Sequence, residues 1–168
     1  MAENLNYVVE GSKCYSNNSA NCDKYGSLYN WATAMNLPSR CNSDNCSSLI
    51  QSKHQGICPS GWHIPSDAEW TILTDYVGSS TAGTKLKATS GWNNSGNGTD
   101  EYEFSALPGG RGYSGGSFSN VGDDGLWWSA TEGNANGAYY RFMYYYSSNV
   151  GRDSYDKSRL FSVRCLQD

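Results

Sequence analysis

Apolar positions recur at helical spacing in only two places, both in the first half of the chain. In KYGSLYNWATAMN, from Lys24 to Asn36, Leu28, Trp31, Ala32 and Met35 share one face, which predicts a short amphipathic helix. Leu37-Pro38 closes it, because the residue before proline is pushed out of the helical region. The second pattern follows CPSGWHIPSDAEW. Ser66 and Glu69 form a Ser-x-x-Glu capping box, so a helix from about Asp67 to Val77 is expected, with Trp70, Leu73 and Val77 buried and Gly78 ending it. Residues 1–13 read as an irregular or strand-like lead-in, and residues 39–57 as a polar surface loop tethered by cysteine.

Beyond Gly78 the pattern changes. Gly, Ser and Asn separate strand-sized apolar pieces at Phe104–Gly110, Leu126–Thr131, Ala138–Tyr146 and Leu160–Leu166. In the last, Phe161, Val163 and Cys165 alternate with Ser162 and Arg164, the period-two signature of a strand with one buried face. In AYYRFMYYY, Tyr140, Phe142 and Tyr144 share one face and Tyr139, Arg141, Met143 and Tyr145 the other. Two helices followed by short antiparallel strands make a loop-rich α+β domain. Its 168 residues suit one domain, 1–168, long enough to bury a core.

Composition sharpens this picture. Six of the 13 tyrosines (Tyr139, Tyr140, Tyr144, Tyr145, Tyr146, Tyr155) fall between residues 138 and 165, among Ser, Asn, Asp, Gly and Arg. Tyrosine gives a large amphipathic contact for little side-chain entropy, and the small polar residues adapt around it, so the segment has the vocabulary of a binding surface. Cross-strand aromatic pairing would also stabilise a sheet. Three consecutive tyrosines, however, cannot all face one core, so some must be exposed. A net charge of −4 argues against a nucleic-acid partner, and no apolar run is long enough to span a membrane. MAENLNY lacks the basic start and apolar stretch of a secretory signal, which points to an excised part of a longer protein or to export by other means.

Six cysteines (Cys14, Cys22, Cys41, Cys46, Cys58, Cys165) allow fifteen complete pairings. No CxxC pair accompanies the two histidines, so disulfides in an oxidising, extracellular or surface compartment are expected rather than zinc. Cys14–Cys22 and Cys41–Cys46 would close small loops, and Cys58–Cys165 would tie the middle of the chain to its end. Trp62, Trp70, Trp92, Trp127 and Trp128 are read as core rather than as a sugar platform. Asn93–Glu103 and Asp123-Asp124 offer oxygen ligands of the kind calcium prefers, but without regular spacing, so calcium is a possible cofactor and a polar turn the simpler account. His63 is read as a hydrogen-bonded structural histidine, His54 as solvent-exposed, and GGRGYSGG (109–116) as a loop without a phosphate-binding context. No Ser-His-Asp order, carboxylate pair or nucleotide motif stands out, so the chain is expected not to be an enzyme.

Five ordered blocks (MAENLNY, CPSGWHIPSDAEW, GTDEYEFSALPGGRG, DDGLWWSATE and KSRLFSVRC) resemble the Fibrobacter succinogenes major paralogous domain over nearly the whole chain. The resemblance implies a C-type-lectin-like fold, with two helices flanking a small twisted antiparallel sheet. It also implies the variable protein of a diversity-generating retroelement, whose adenine-directed mutagenesis rewrites the last codons. Residues 139–160 suit that rule, since Asn codons become Tyr, Ser, Asp, Gly or Arg; Met143 and Lys157 are exceptions that would belong to the scaffold. Leu160 stands where the family usually carries Gly, a departure that would mark diversification of that position and leaves the turn there open. The expected ligand-binding residues are Tyr139, Tyr140, Tyr145, Tyr146, Ser147, Ser148, Gly151, Asp153, Ser154, Tyr155 and Arg159, facing a protein or cell-surface ligand. Arg141, Phe142 and Tyr144 are assigned mainly to the scaffold. A fixed carbohydrate-binding or adhesin module is the alternative, and a relative of the formylglycine-generating sulfatase modifiers a third. Those enzymes use paired cysteines near the chain end, where only Cys165 is found here.

Overall fold

The computed structural model describes residues 3–168, so the first two residues of the lead-in lie outside the described residues. Four α-helices are present among them: α1 (Ser19–Tyr25), α2 (Trp31–Ala34), α3 (Asp67–Val77) and α4 (Ala82–Leu86). Seven strands, β1 (Trp62–His63), β2 (Arg111–Gly112), β3 (Phe118–Ser119), β4 (Asp124–Glu132), β5 (Gly137–Tyr144), β6 (Gly151–Asp156) and β7 (Leu166–Gln167), complete the set. They pair antiparallel as β1–β7, β2–β3 and the three-stranded β4–β5–β6. The domain is thus a mixture of helices with small antiparallel sheets.

The capping box at α3 forms as expected. Ser66 Oγ accepts from the Glu69 amide at 3.2 Å, Glu69 accepts from the Ser66 amide at 2.8 Å, and Gly78 ends the helix. The expected helix from Lys24 to Asn36 is instead two. Gly26 leaves α1 at φ +77°, a backbone that favours glycine, and Leu28 and Tyr29 run extended. Leu28 pairs with Lys13, and Tyr29 exchanges two backbone hydrogen bonds with Phe161 (2.9 and 3.0 Å), which a helical residue could not do. Asn30 then starts α2 by accepting from the Thr33 amide.

Four further expectations change. Residues 104–110 form no strand, only a bridge between Ala106 and Lys87. Leu160–Cys165 runs extended through single bridges rather than a ladder and is buried on both sides, with Ser162 and Arg164 each 2% exposed, and only Leu166, 40% exposed, enters a ladder as part of β7. Helix α4 arises in a stretch that had carried no helical signal. His54 is half-buried rather than exposed, its Nδ1 accepting from the Gln51 amide and its Nε2 donating to the Met35 carbonyl at 2.8 Å.

The β4–β5–β6 sheet stands between two apolar clusters. On one side Leu126, Trp128, Ala138 and Tyr140 pack with Tyr29, Trp31, Met35, Phe161 and Val163. On the other, Trp127 and Met143 meet Trp70, Val77, Leu86 and Trp92. This explains why β4 reads as a continuous apolar run rather than an alternation. Trp70, Trp92, Trp127 and Trp128 are buried, and Trp62 is half-buried. His63 lies between Asp168 (2.7 Å) and Glu69 (3.0 Å) and joins β1 to α3 and the chain end.

The cysteines pair as Cys14–Cys22, Cys41–Cys46 and Cys58–Cys165, which points to an extracellular or otherwise oxidising setting. Among the described residues, no helix is long and apolar enough to cross a membrane. Replacing Cys58 and Cys165 with Ala removes a link spanning 107 residues and should cost about 4–5 kcal/mol. Replacing Cys41 and Cys46, five apart, should cost about 2 kcal/mol, because loop-closure entropy grows with the logarithm of loop length. Urea unfolding of the two double variants measures the difference, and equal midpoints would contradict it.

Candidate functional site

The alternation of β5 places Tyr140, Phe142 and Tyr144 on one face, where their rings continue from the core to the surface. Phe161 lies 5.0 Å from Tyr140, Tyr140 5.4 Å from Phe142, Phe142 4.7 Å from Tyr144, and Tyr144 5.4 Å from Tyr146. Exposure grows along this ladder, from 0% at Phe161 and 4% at Tyr140 to 72% at Tyr146. Tyr155 flanks its buried end from β6, 6.0 Å from Tyr140, and Asp153 lies opposite Tyr140 in the strand pairing.

Gly151 makes the ladder possible. A methyl group there would run into the Phe142 ring, which crosses the backbone of its β6 partner. Gly151 is therefore a support for the ladder rather than a contact of its own.

A second aromatic group borders the ladder. Arg159 stacks its guanidinium 4.4 Å from the Tyr113 ring and 5.3 Å from the Tyr155 ring. Its Nε is buried and has no hydrogen-bond partner among the described residues. Tyr113 comes from the β2–β3 hairpin, the segment read from the sequence as a simple loop. Its phenol is held below the usual tyrosine range by the Ser119 hydroxyl, with Arg111 and Arg159 adding to the effect against a smaller opposing push from burial. At the exposed end of the ladder, Arg111, Asn120, Asp123, Asp124 and Tyr144–Tyr146 line a polar depression of about 310 Å³. Arg111 pairs with the buried Asp124 at 3.4 Å, and burial raises the Asp124 carboxyl.

The expected binding residues do not form one patch. Tyr146, Asp153, Tyr155 and Arg159 lie on or beside the ladder face. Tyr140 was expected as a contact, but it is packed beneath that face, because Phe161 and Trp128 cover its ring. Tyr139 and Ser154 pair with each other on the opposite face, and the Tyr139 ring lies 4.2 Å from the Arg152 guanidinium. Arg152 and the buried Arg141 both bind Asp67 at the start of α3, each at 2.7 Å. Tyr145 leans into the second apolar cluster. Ser147 and Ser148 belong to a turn fastened to α4: Lys87 Nζ donates to the Tyr144, Tyr145 and Ser147 carbonyls, and Ser148 Oγ donates to the Ser80 carbonyl.

Phe142 and Tyr144, assigned mainly to scaffold, are half-buried rungs of the ladder. The period-two pattern of β5 had already placed them on its face. Arg111 and Tyr113 had no such signal, since they arrive from a distant hairpin.

Two of the carboxylates considered for calcium are engaged by neighbouring side chains and amides. Asp100 accepts from the Ser105 amide and hydroxyl, and Asp123 accepts from Asn93. Among the described residues, no group of three or more His, Cys, Asp or Glu side chains is placed to hold a metal ion.

Burial, reinforced by Tyr144 and Asp153, drives the Tyr140 phenol above its usual range; burial with Asp124 does the same for Tyr144. A phenol harder to ionise when folded contributes stability that is complete below the unfolded value, about pH 10, and is lost as pH rises towards the folded value. Stability to urea should therefore fall between about pH 9 and about pH 11, and Tyr140→Phe should flatten that fall. An identical pH dependence in the variant would show that Tyr140 is not the group responsible.

Comparison with curated proteins gave no match, and neither did comparison with solved structures. The model of one protein family, the Fibrobacter succinogenes major domain, matches residues 1–167. With that match covering all but the last residue, the chain belongs to the Fibrobacter succinogenes major domain family.

Proposed function

We propose that the ladder face, with Arg159 and Tyr113 beside it, is a recognition surface for a protein or cell-surface ligand. We further propose that the chain is the variable protein of a diversity-generating retroelement, built on a C-type-lectin-like frame and displayed in an oxidising setting. The role is recognition rather than catalysis. One observation carries the diversification reading. Within residues 139–160, Met143 and Lys157 are the two that adenine-directed rewriting of Asn codons cannot produce, and both are 0% exposed. The two unreachable residues are thus frame, while Tyr146, Asp153, Ser154 and Tyr155 are exposed. Leu160, whose departure from the family's Gly was read as diversification, is by contrast 7% exposed and exchanges backbone hydrogen bonds with Gly112.

The exposed rings supply what protein interfaces concentrate, namely rigid aromatic anchors beside arginine. Tyr146→Ala, Tyr155→Ala and Arg159→Ala together should abolish binding to any ligand found on a glycan array or a panel of surface proteins. Their combined effect on stability should stay within about 1–2 kcal/mol, as for surface side chains outside the core. Retained binding, or failure of the triple variant to fold, would overturn the assignment. The gene's neighbourhood tests diversification separately. A reverse-transcriptase gene and a near-copy of the 3′ end differing only at adenines are expected, and a neighbourhood without them identifies a fixed binding module.

A further inference from the structure

Helix α3 carries apolar side chains on two faces. Trp70 and Val77, with Thr74 between them, turn inward and are buried, as a helix packed on a sheet requires. Ile72, Leu73 and Tyr76 occupy the adjoining face, where a helix ordinarily shows water a polar surface. Ile72 is 69% and Tyr76 78% exposed, and Leu73 is half-buried.

Other segments extend this face. The Tyr102 ring stands 5.9 Å from that of Tyr76, edge to face. Beside Leu73 opens a cleft of about 200 Å³ between α3 and the end of the chain, with Pro65, Phe104 and Leu166 among its walls. A cavity of about 150 Å³ takes up benzene, so the cleft has room for one large apolar side chain. Ile72, Tyr76, Tyr102 and Leu166, all exposed, thus surround a recess. Apolar surfaces of this kind, rimmed by polar groups, mark interaction sites.

The rim decides the partner. Glu69 and Asp75 lie on α3 itself, Glu101 and Glu103 flank Tyr102, and Asp168 follows Leu166 by two residues. Glu69 and Asp168 are engaged with His63, while Asp75, Glu101 and Glu103 are exposed. Two cations border the same face, and the protein engages both. Lys85 donates to the Val77 carbonyl at 3.1 Å and lies 3.8 Å from Glu101, and the buried Arg164 donates to the Phe104 and Ser105 carbonyls. The face therefore presents carboxylates around hydrocarbon. A second copy would set these carboxylates against their own kind, and an anionic membrane would be repelled in the same way.

We propose that this face is the docking site for a basic amphipathic segment of a partner protein. Its lysines or arginines would lie opposite Asp75, Glu101 and Glu103, and one leucine- or phenylalanine-sized side chain would fill the cleft as the anchor. The face contains no residue of the aromatic ladder, so it is independent of the recognition surface.

The probe is a short fluorescein-labelled peptide of leucine and lysine at helical spacing, titrated into the intact domain and followed by anisotropy. Two counterparts accompany it, one with glutamate for lysine and one with alanine for leucine. The leucine–lysine peptide should bind at least about 10-fold more tightly than either, and its affinity should fall as salt is raised. In ¹⁵N spectra it should move the amides of α3, Tyr102 and Leu166 and leave those of β5 and β6 in place. Ile72→Ser with Tyr76→Ser should weaken binding about 10-fold or more, and Ile72→Ser alone stands in if the pair does not fold. Glu101→Gln with Glu103→Gln should weaken it less and flatten its salt dependence. The proposal is overturned if the peptide does not saturate the domain below about 1 mM, if the glutamate peptide binds as well, or if the serine variant binds as wild type does. A dimer in sedimentation that the serine variant dissociates would overturn it too, because the face would then belong to a second copy.

Discussion

Lys157 has no exposed surface, yet it carries a charge into the base of the β-sheet. Its Nζ lies 2.5 Å from Glu132 Oε1, donates to the Ala135 and Asp44 carbonyls at 2.9 and 3.1 Å, and sits 4.7 Å from the Trp31 ring. Glu132 in turn accepts from the Cys46 amide at 2.9 Å. One ammonium group therefore gathers the Cys41–Cys46 loop, the end of β4, the β4–β5 turn and the end of β6. Burying such a pair costs several kcal/mol in desolvation, so its value is not mainly stability. What it supplies is position: the chain leaving β6 can satisfy this charge in one place only. The Trp31 amide fixes the same point from the other side by donating to the Lys157 carbonyl.

The aromatic face depends on that fixed end. β6 returns under Phe142 at Gly151, carries Asp153 and Tyr155 beside the ladder, and ends at Asp156, next to Lys157 and three residues before Arg159 takes its place between Tyr155 and Tyr113. On the opposite face Asp67 holds Arg141 and Arg152, so β5 and β6 are pinned to α3 as well. The turn between the two strands is fastened by Lys87. Buried charge thus restrains the backbone at three places around the aromatic face. The proposed recognition role would need this division, because side chains could then be replaced without moving the strands that carry them.

Much of the frame was legible because its signals are local. The Ser66–Glu69 box lies within one helical turn, and the Cys14–Cys22 and Cys41–Cys46 links join near neighbours. The misread elements depend on distant partners. Tyr29 is extended because Phe161 bonds to it, and nothing between Lys24 and Asn36 reports that. Ser162 and Arg164 looked like an exposed face, but Asn4 and the Phe104 and Ser105 carbonyls surround the Arg164 guanidinium. At the candidate site, composition singled out Tyr146, Tyr155 and Arg159. It could not separate Tyr140 from them, because burial of that ring is decided by Phe161. Nor could it bring in Arg111 and Tyr113, which only the folded β2–β3 hairpin delivers.

The most direct test of this architecture is native-state hydrogen exchange on Lys157→Met. The account requires amides of β6 and of the β4–β5 turn to lose protection by about 100-fold or more, as expected when one partner of a buried pair is removed. Amides of α3 should keep theirs. Unchanged protection in β6, or an equal loss across every element, would contradict the claim that this one charge holds the aromatic face in place.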